Sequence, residues 1–518
     1  MTSICTISQI SLTLDDKPIL DNLSANLPAG ISGLVAPNGR GKSVLLKLLA
    51  GHWPPDSGGI DWHRPHYRLD QLARLRGPRV VDCLDADGLF DRFRRIEQGR
   101  GDEADLAAVA DHWHLPALWQ QQLDTAGLDC PLESPVSTLS GGQRTRLALT
   151  AAFMQRDCYL LLDEPSNHLD RQGRAWLREQ LQQHPAGALV ASHDRELLEC
   201  AHNLFELGEK GLRQYGGNYS FYRRVRDAEI AGAEQRVENA RQEIQQSERQ
   251  RQKALQRAAQ RQRHGRSQRG SQSKLLLDAR KDRAGQSLGR VKQQFAQRSD
   301  QLQQKLGEEK SALTQQRMQQ LSVTRSGLRG GPRLHLENLR LPYGRQQPIS
   351  LTLHSGARWQ LTGANGSGKS TLLKVISGAL QPAAGHCHRH GSCLYLNQEF
   401  SLLDGDSSAL DNLRRLHPDR DSTYWRTALG SLNLRGDLAL RPLNTLSGGE
   451  RLKVALLATT RGSRAPDLLL LDEPDNHLDL DSRRLLETAL RDYPGSFLLV
   501  CHDPVFVEAV GINGELAL

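Results

Sequence analysis

Five short motifs occur twice in this chain of 518 residues, and in the same order: APNGRGKS and GANGSGKS, RLDQ and YLNQ, LSGGQ and LSGGE, LLLDEPSNHLD and LLLDEPDNHLD, ASHDR and VCHDP. Their spacing repeats as well. Lys42 to Gln71 and Lys369 to Gln398 each span 29 residues, as do Glu164 to His193 and Glu473 to His502. A register of this kind means two copies of one folding unit, so the chain is built as two similar halves plus whatever joins them. One interval differs: Gln71 to Ser140 is 69 residues and Gln398 to Ser447 is 49, which puts about 20 extra residues in the first half, around 84–124.

Each GxxxxGKS-type loop follows a short apolar strand (ISGLV, RWQLT) and opens a helical run (VLLKLLA, TLLKVIS), the context a phosphate-binding loop requires. Strands alternating with helices imply an α/β fold with a largely parallel sheet in each half. Between Gly217 and Gly330 the pattern changes. Ala233, Val237, Ala240 and Ile244, then Leu288, Val291, Phe295, Leu302, Leu306 and Leu313, recur at helical spacing on either side of HGRSQRGSQS. This predicts an antiparallel α-helical hairpin with its basic stretch at the tip. The expected organisation is therefore two P-loop nucleotide-binding domains, 1–216 and 331–518, joined by a helical hairpin over 217–330.

Charge follows the same division. The segment from Arg223 to Arg329 holds 25 basic and 11 acidic residues, a net of +14 within a chain of net +8, so the remainder carries −6. So local an excess points to a polyanionic partner. From Arg249 to Arg283 there are 12 basic residues and 2 acidic ones, and no aromatic lies between Tyr222 and Phe295. Stacking on unpaired bases is thereby disfavoured, and contact with the phosphates of folded RNA fits. The expected RNA contacts are Arg257, Arg261, Arg263, Arg266, Arg269, Lys274, Arg280, Lys281 and Arg283. The eight cysteines form no C-x-x-C pair, no apolar run reaches the length of a membrane span, and the N-terminus lacks the order of a signal peptide, so a cytoplasmic home is expected.

The chemistry is read from the repeated motifs. In the second loop, Gly363, Ala364, Asn365, Gly366, Ser367, Gly368, Lys369 and Ser370, backbone amides surround phosphate oxygens; the lysine supplies a cation and the serine a hydroxyl for Mg²⁺. The first loop reads Ala36, Pro37, Asn38, Gly39, Arg40, Gly41, Lys42 and Ser43. Alanine there replaces the leading glycine, which would cost on the order of 1 kcal/mol if the position needs a positive φ. Asp163 and Asp472 end apolar strands and join Ser43 and Ser370 as expected Mg²⁺ ligands. Glu164 and Glu473 follow them, placed to orient or deprotonate the attacking water, with His193 and His502 beyond. Gln71 and Gln398 are expected at the metal or the water. Ser140, Gly141, Gly142 and Ser447, Gly448, Gly449 precede helical sequence, and a helix N-terminus binds phosphate or is simply capped. One further tract, His386 to Cys393 (HCHRHGSC), would put His386, His388 and His390 on one strand face, a pattern metal ligands can use.

These residues, in this order, resemble the ATP-binding cassette superfamily, and more narrowly its ABC-F subfamily: two cassettes in one polypeptide, with Asn167, His168, Leu169, Asp170 and Asn476, His477, Leu478, Asp479 after the DE pairs, and YGGNYSFY ahead of a charged helical linker. The resemblance implies an ATPase using ATP and Mg²⁺, acting as a monomer whose cassettes pair head to tail. The loop at Lys42 would then face Ser447, and the loop at Lys369 would face Ser140. It implies a ribosomal partner, with the linker reaching toward peptidyl-tRNA and rRNA and an arm in the first cassette touching the ribosome periphery; the arm here is short. Where relatives stack an aromatic on adenine, the second half has Tyr343 and the first aligns Leu14. With Ala36, this leads to an expectation of unequal sites, the one at Lys369 binding more tightly. Two other functions are compatible with tandem cassettes: a DNA-binding ABC-F ATPase, or the ATPase subunit of a transporter.

Overall fold

The computed structural model describes residues 3–14, 16–69, 77–85, 87–208, 211–267, 293–310, 313, 330–345, 347–364, 366–397, 400–432, 434–462, 466–476 and 478–518. The chain divides into two compact units, Met1–Tyr222 with Gln319–Leu518, and Arg223–Met318.

The first cassette opens with β1 (Ser3–Leu14), β2 (Lys17–Pro28) and β4 (Ser57–Trp62), an antiparallel sheet in the order β2-β1-β4. A second sheet runs β5 (His66–Leu69), β6 (Tyr159–Asp163), β7 (Ala188–Ala191), β3 (Ile31–Val35), β8 (Asn203–Gly208), β9 (Gly211–Gly216), parallel except for the last pair. The apolar runs of β3, β6 and β7 are buried almost throughout, as expected for strands covered on both faces. Helix α1 (Lys42–Leu49) sends Leu45, Leu46, Leu48 and Leu49 into the core shared with Ile7, Ile10 and Leu23.

A helical layer follows β5: α2 (Val80–Leu84), α3 (Leu89–Glu97), α4 (Glu103–Val109), α5 (Leu115–Thr125) and α6 (Gly141–Phe153). The residues added to the first half account for α3 and α4. They are tied to each other by Arg95 Nε donating to Asp105 Oδ2 at 2.8 Å and, through Phe93 and Val109, to the core of Val80, Trp119 and Leu123. Helices α7 (Arg171–Gln183) and α8 (Arg195–Glu199) complete the cassette.

In the second unit, α9 (Tyr219–Ser267) and α10 (293–310) run antiparallel: Arg236 pairs with Glu309 at 3.2 Å and Lys305 with Glu243 at 3.1 Å. Ala233 and Val237 are buried with Leu313, and Leu306 packs against them, on the stripe expected from sequence. The expected stripe residues Leu288 and Val291 lie outside the described residues.

The second cassette repeats the plan. Strands β10 (Pro332–Arg340), β11 (Ile349–His354) and β13 (Ala384–Arg389) form the order β11-β10-β13. Strands β12 (Arg358–Thr362), β14 (Cys393–Leu396), β15 (Leu468–Asp472), β16 (Ser496–Val500) and β17 (Gly514–Ala517) form a wholly parallel sheet, β14-β15-β16-β12-β17. Its helices are α11 (Lys369–Ser377), α12 (Ala409–Leu416), α13 (Ser422–Ser431), α14 (Gly448–Thr460), α15 (Leu480–Arg491) and α16 (Pro504–Val510). Strand β13 ends at Arg389, so His390 does not continue the face of His386 and His388; its amide turns to the Arg333 carbonyl at 2.9 Å. Among the described residues, no three His, Cys, Asp or Glu side chains are gathered to hold a metal.

Candidate nucleotide sites

The two phosphate loops leave the ends of β3 and β12 and enter α1 and α11 through Gly41 and Gly368, whose φ values of 91° and 106° only glycine adopts without strain. At the start of the loops the copies part. Gly363 stands at φ 148°, whereas Ala36 is not among the positive-φ residues, so the expected methyl penalty at Ala36 does not arise: the first loop takes another backbone path there.

In the second cassette Lys369 Nζ donates to the carbonyls of Gly363 at 2.8 Å and Ala364 at 3.0 Å, which holds the ammonium across the mouth of its loop. Ser370 Oγ donates to Asp472 Oδ1 at 3.1 Å, and Tyr395 donates to the other oxygen at 2.9 Å. Burial raises the Asp472 carboxyl above its usual range. Glu473 accepts from Asn476 Nδ2 at 2.6 Å and lies 3.5 Å from His502 Nε2, and its pairing with His502 holds the carboxyl low.

The first cassette arranges the same groups differently. Lys42 Nζ donates to the Ala36 carbonyl at 3.3 Å, contacts His193 Nε2, and lies 3.5 Å from Glu164 Oε1. The His193 amide donates to Glu164 Oε2 at 3.4 Å. Burial dominates here. It raises Glu164 to about 7, lowers His193 to about 3, and lowers Lys42 from its ordinary value despite the nearby carboxylates. Asp163 Oδ2 is buried with no hydrogen-bond partner. The residue matching Tyr395 is Arg68, which contacts His52 Nδ1 at 2.9 Å instead.

Ser140 and Ser447 are N-caps of α6 and α14. Each accepts from the amide three residues on, Gln143 and Glu450, while its own amide donates back to that residue's side chain. These reciprocal boxes consume the cap serines locally and leave the first-turn amides of Gly141, Gly142, Gly448 and Gly449 at a helix end suited to an anion. Tyr343 is 70% exposed beside the second loop, where Gly344 is pressed against Gly368 and the Arg345 amide donates to the Ser367 carbonyl at 2.9 Å. Leu14 ends β1 half-buried, and the glycine of the first loop is backed by Ile19 and Leu20.

The cassettes meet at these loops. The Asn38 amide, in the first phosphate loop, donates to Asp479 Oδ2 of the second cassette at 3.1 Å. Arg195 Nη1 lies 2.6 Å from Glu487 Oε1, both largely buried. Neither contact was expected as such, although Asp479 belongs to a repeated motif. Gln71, Gln398 and Asn365 lie outside the described residues, as do Arg269, Lys274, Arg280, Lys281 and Arg283; Arg257 is exposed on α9, and the backbone of Arg261, Arg263 and Arg266 continues that helix.

A family model described as ABC transporter matches residues 20–167 and 346–476, once in each half. The putative ATP-binding protein YdiF of Bacillus subtilis is 30% identical over 98% of this chain and 79% of its own length. ATP-binding cassette sub-family F member 3 of Homo sapiens is 30% identical over 97% of this chain and 70% of its own. The chain belongs to the ABC-F group of ATP-binding cassette proteins. This ABC-F protein binds and hydrolyses ATP. Its fold is shared with an archaeal ribosome recycling factor, aABCE1, solved with the ribosomal stalk protein aP1: TM-score 0.53, 19% identity, 97% of this chain and 86% of that one. Among the described residues, no helix is long and apolar enough to cross a membrane.

Proposed function

We propose that this ABC-F ATPase is a cytoplasmic, monomeric ATP-driven clamp on the ribosome, with the basic hairpin over 217–330 contacting peptidyl-tRNA and rRNA. The observation that carries this reading is the +14 net charge from Arg223 to Arg329, a segment that lies in sequence between cassettes that together carry −6. A polyanion without accessible unpaired bases is the partner such an aromatic-free stretch suits.

At each site the loop amides and Lys42 or Lys369 bind the phosphates of ATP, and Tyr343 stacks on the adenine of the second. Ser140 to Gly142 and Ser447 to Gly449 receive the nucleotide from the opposite cassette, so binding draws the halves together. Mg²⁺ suits the hard oxygens available. Ser370 and Asp472 already lie 3.1 Å apart, and Asp163 Oδ2, at the end of β6, is buried without a hydrogen-bond partner. When bound, the ion would neutralise phosphate charge. Glu473, held low by His502, accepts the proton of the attacking water, and Glu164 has the corresponding place in the first site. Gln71 and Gln398 are assigned to the same surroundings.

The test is to replace both glutamates by glutamine and follow the protein on 70S ribosomes by sedimentation and cryo-EM. ATP-dependent retention, with the hairpin against tRNA or rRNA, is expected. Absence from ribosomes at low and moderate salt, together with tight binding to duplex DNA, would replace this reading with the DNA-binding one.

A further inference from the structure

Tyr395 and Arg68 hold the same place in the two cassettes. Each opens its motif, YLNQ or RLDQ, and the strand registers agree: Tyr395 pairs with Leu470 on β15, and Arg68 with Leu161 on β6. Asp472 and Asp163 end those neighbouring strands two residues beyond Leu470 and Leu161, and so lie on the same face as them. The backbone therefore offers an equivalent aspartate to both side chains.

The tyrosine takes it. Its hydroxyl donates to Asp472 Oδ2 at 2.9 Å while Ser370 Oγ donates to Oδ1 at 3.1 Å, so each oxygen of the carboxylate has its own donor. A phenol stays protonated at neutral pH and sits on a rigid ring, which makes the donor dependable. In the first cassette, Arg68 Nη1 lies 2.9 Å from His52 Nδ1, beyond the end of α1 opposite the phosphate loop. Asp163 Oδ2 is left buried with no hydrogen-bond partner.

A carboxylate held by a donor on each oxygen cannot turn about its last torsion, and it presents its remaining lone pairs in one direction. Ser370 keeps its own lone pairs while donating its proton, so the serine and Asp472 offer a fixed pair of hard oxygens. Partners that orient a ligating carboxylate in this way are commonly worth about 10- to 100-fold in metal affinity.

We propose that Tyr395 is a positioning residue for Mg²⁺ at the second site, acting through Asp472, and that the first site, with Arg68 in its place, holds the ion less tightly. This rests on the reading that Asp472 with Ser370, and Asp163 with Ser43, hold the metal of their nucleotides.

The experiment uses the full chain carrying Lys42→Ala, which leaves the second site, saturated with a non-hydrolysable ATP analogue. Mn²⁺ stands in for Mg²⁺, and its binding is read by electron paramagnetic resonance. Tyr395→Phe keeps the ring and removes the donor. It should weaken Mn²⁺ binding by about 10- to 100-fold and leave binding of the analogue in EDTA unchanged. Unchanged Mn²⁺ binding overturns the proposal, as does an equal loss of analogue binding in EDTA, which would make the tyrosine a support of the loop and not of the ion. Asp472→Asn separates the ways of failing: if it too leaves Mn²⁺ binding unchanged, the site assignment falls, whereas if it alone weakens binding, only the role of Tyr395 falls. In the first site, left by Lys369→Ala, Arg68→Tyr should tighten Mn²⁺ binding by about tenfold and Arg68→Phe should not. Equal effects of these two overturn the comparison between the sites. Thermal melting of each variant shows whether the fold is intact.

Discussion

Glu164 and Glu473 stand at the ends of equivalent strands with the same φ of 48° and each lies 3.5 Å from a histidine, yet the first carboxylate also lies 3.5 Å from a lysine and the second accepts from an asparagine. A left-handed backbone at a non-glycine residue costs of order 1–3 kcal/mol and persists only where its surroundings enforce it, and here both copies enforce it. The shared strain fixes the position of each carboxylate; its neighbours set the protonation.

That difference gives the copies different pH profiles. Glu164, raised to about 7 by burial, carries its proton below that pH and can accept one only above it. Glu473 is held below its usual range and is ionised throughout the neutral region. ATP hydrolysis by the Lys369→Ala variant, which leaves the first site, is expected to climb between pH 6 and 8. In the Lys42→Ala variant it stays nearly flat over the same interval, and parallel profiles would show that burial does not control Glu164.

Replacing Glu473 by glutamine keeps a side chain able to pair with Asn476 and removes the proton acceptor. Hydrolysis at the second site should fall by roughly 10²- to 10⁴-fold, the usual contribution of a positioned general base, with ATP affinity retained. Single-turnover hydrolysis set beside equilibrium binding reads the two quantities separately. A matched loss of both would mean that Glu473 holds nucleotide rather than water.

Much of this arrangement could be read from the motif spacing. Twenty-nine residues from Glu164 to His193 and again from Glu473 to His502 mark two parallel strands whose ends must lie side by side, and the structure pairs them, β6 with β7 and β15 with β16. Burial of both sheet faces makes such strands continuous apolar runs, which a sequence shows plainly. What depends on backbone path or on distant partners was not legible. In sequence Ala36 reads as a steric fault, since the matching glycine takes a positive φ, and the loop avoids the fault by turning differently. Tyr395 lay within a repeated motif, but its bond to Asp472 bridges 77 residues of sequence that no periodicity reports. Asp479 could be seen as a helix cap, while its reach to Asn38, 441 residues away, depends on how the cassettes meet.

The same contrast predicts the response to a single methyl. A Cβ on Gly363 would sit 2.7 Å from the Leu518 carbonyl oxygen and 2.7 Å from Ser367 Oγ, at a φ of 148° that L residues rarely adopt. Gly363→Ala should cost about 1–3 kcal/mol of loop geometry, a roughly 5- to 150-fold loss of ATP affinity at the second site. Ala36→Gly relieves nothing, since Ala36 is unstrained, and should change first-site affinity by less than about twofold. Site-resolved titration in the Lys42→Ala and Lys369→Ala backgrounds checks both values.

Across the cassette interface, Arg195 and Glu487 form an ion pair with side chains only 3% and 11% exposed. Two charges removed from water recover their hydration cost only through each other, so losing one partner is worse than losing both. Glu487→Gln should therefore destabilise the chain by about 3–5 kcal/mol, because the Arg195 guanidinium is left buried without a counter-charge. Burial raises the Glu487 carboxyl, so the cost of keeping it charged inside the fold is relieved as pH falls and the glutamate takes up a proton. Replacing both residues by apolar ones of similar size, Arg195→Met with Glu487→Leu, should restore most of the loss. Chemical denaturation of the two single variants and the double variant closes a cycle. A coupling near zero would mean that the pair is solvated in solution, and that the cassettes do not depend on it to stay together.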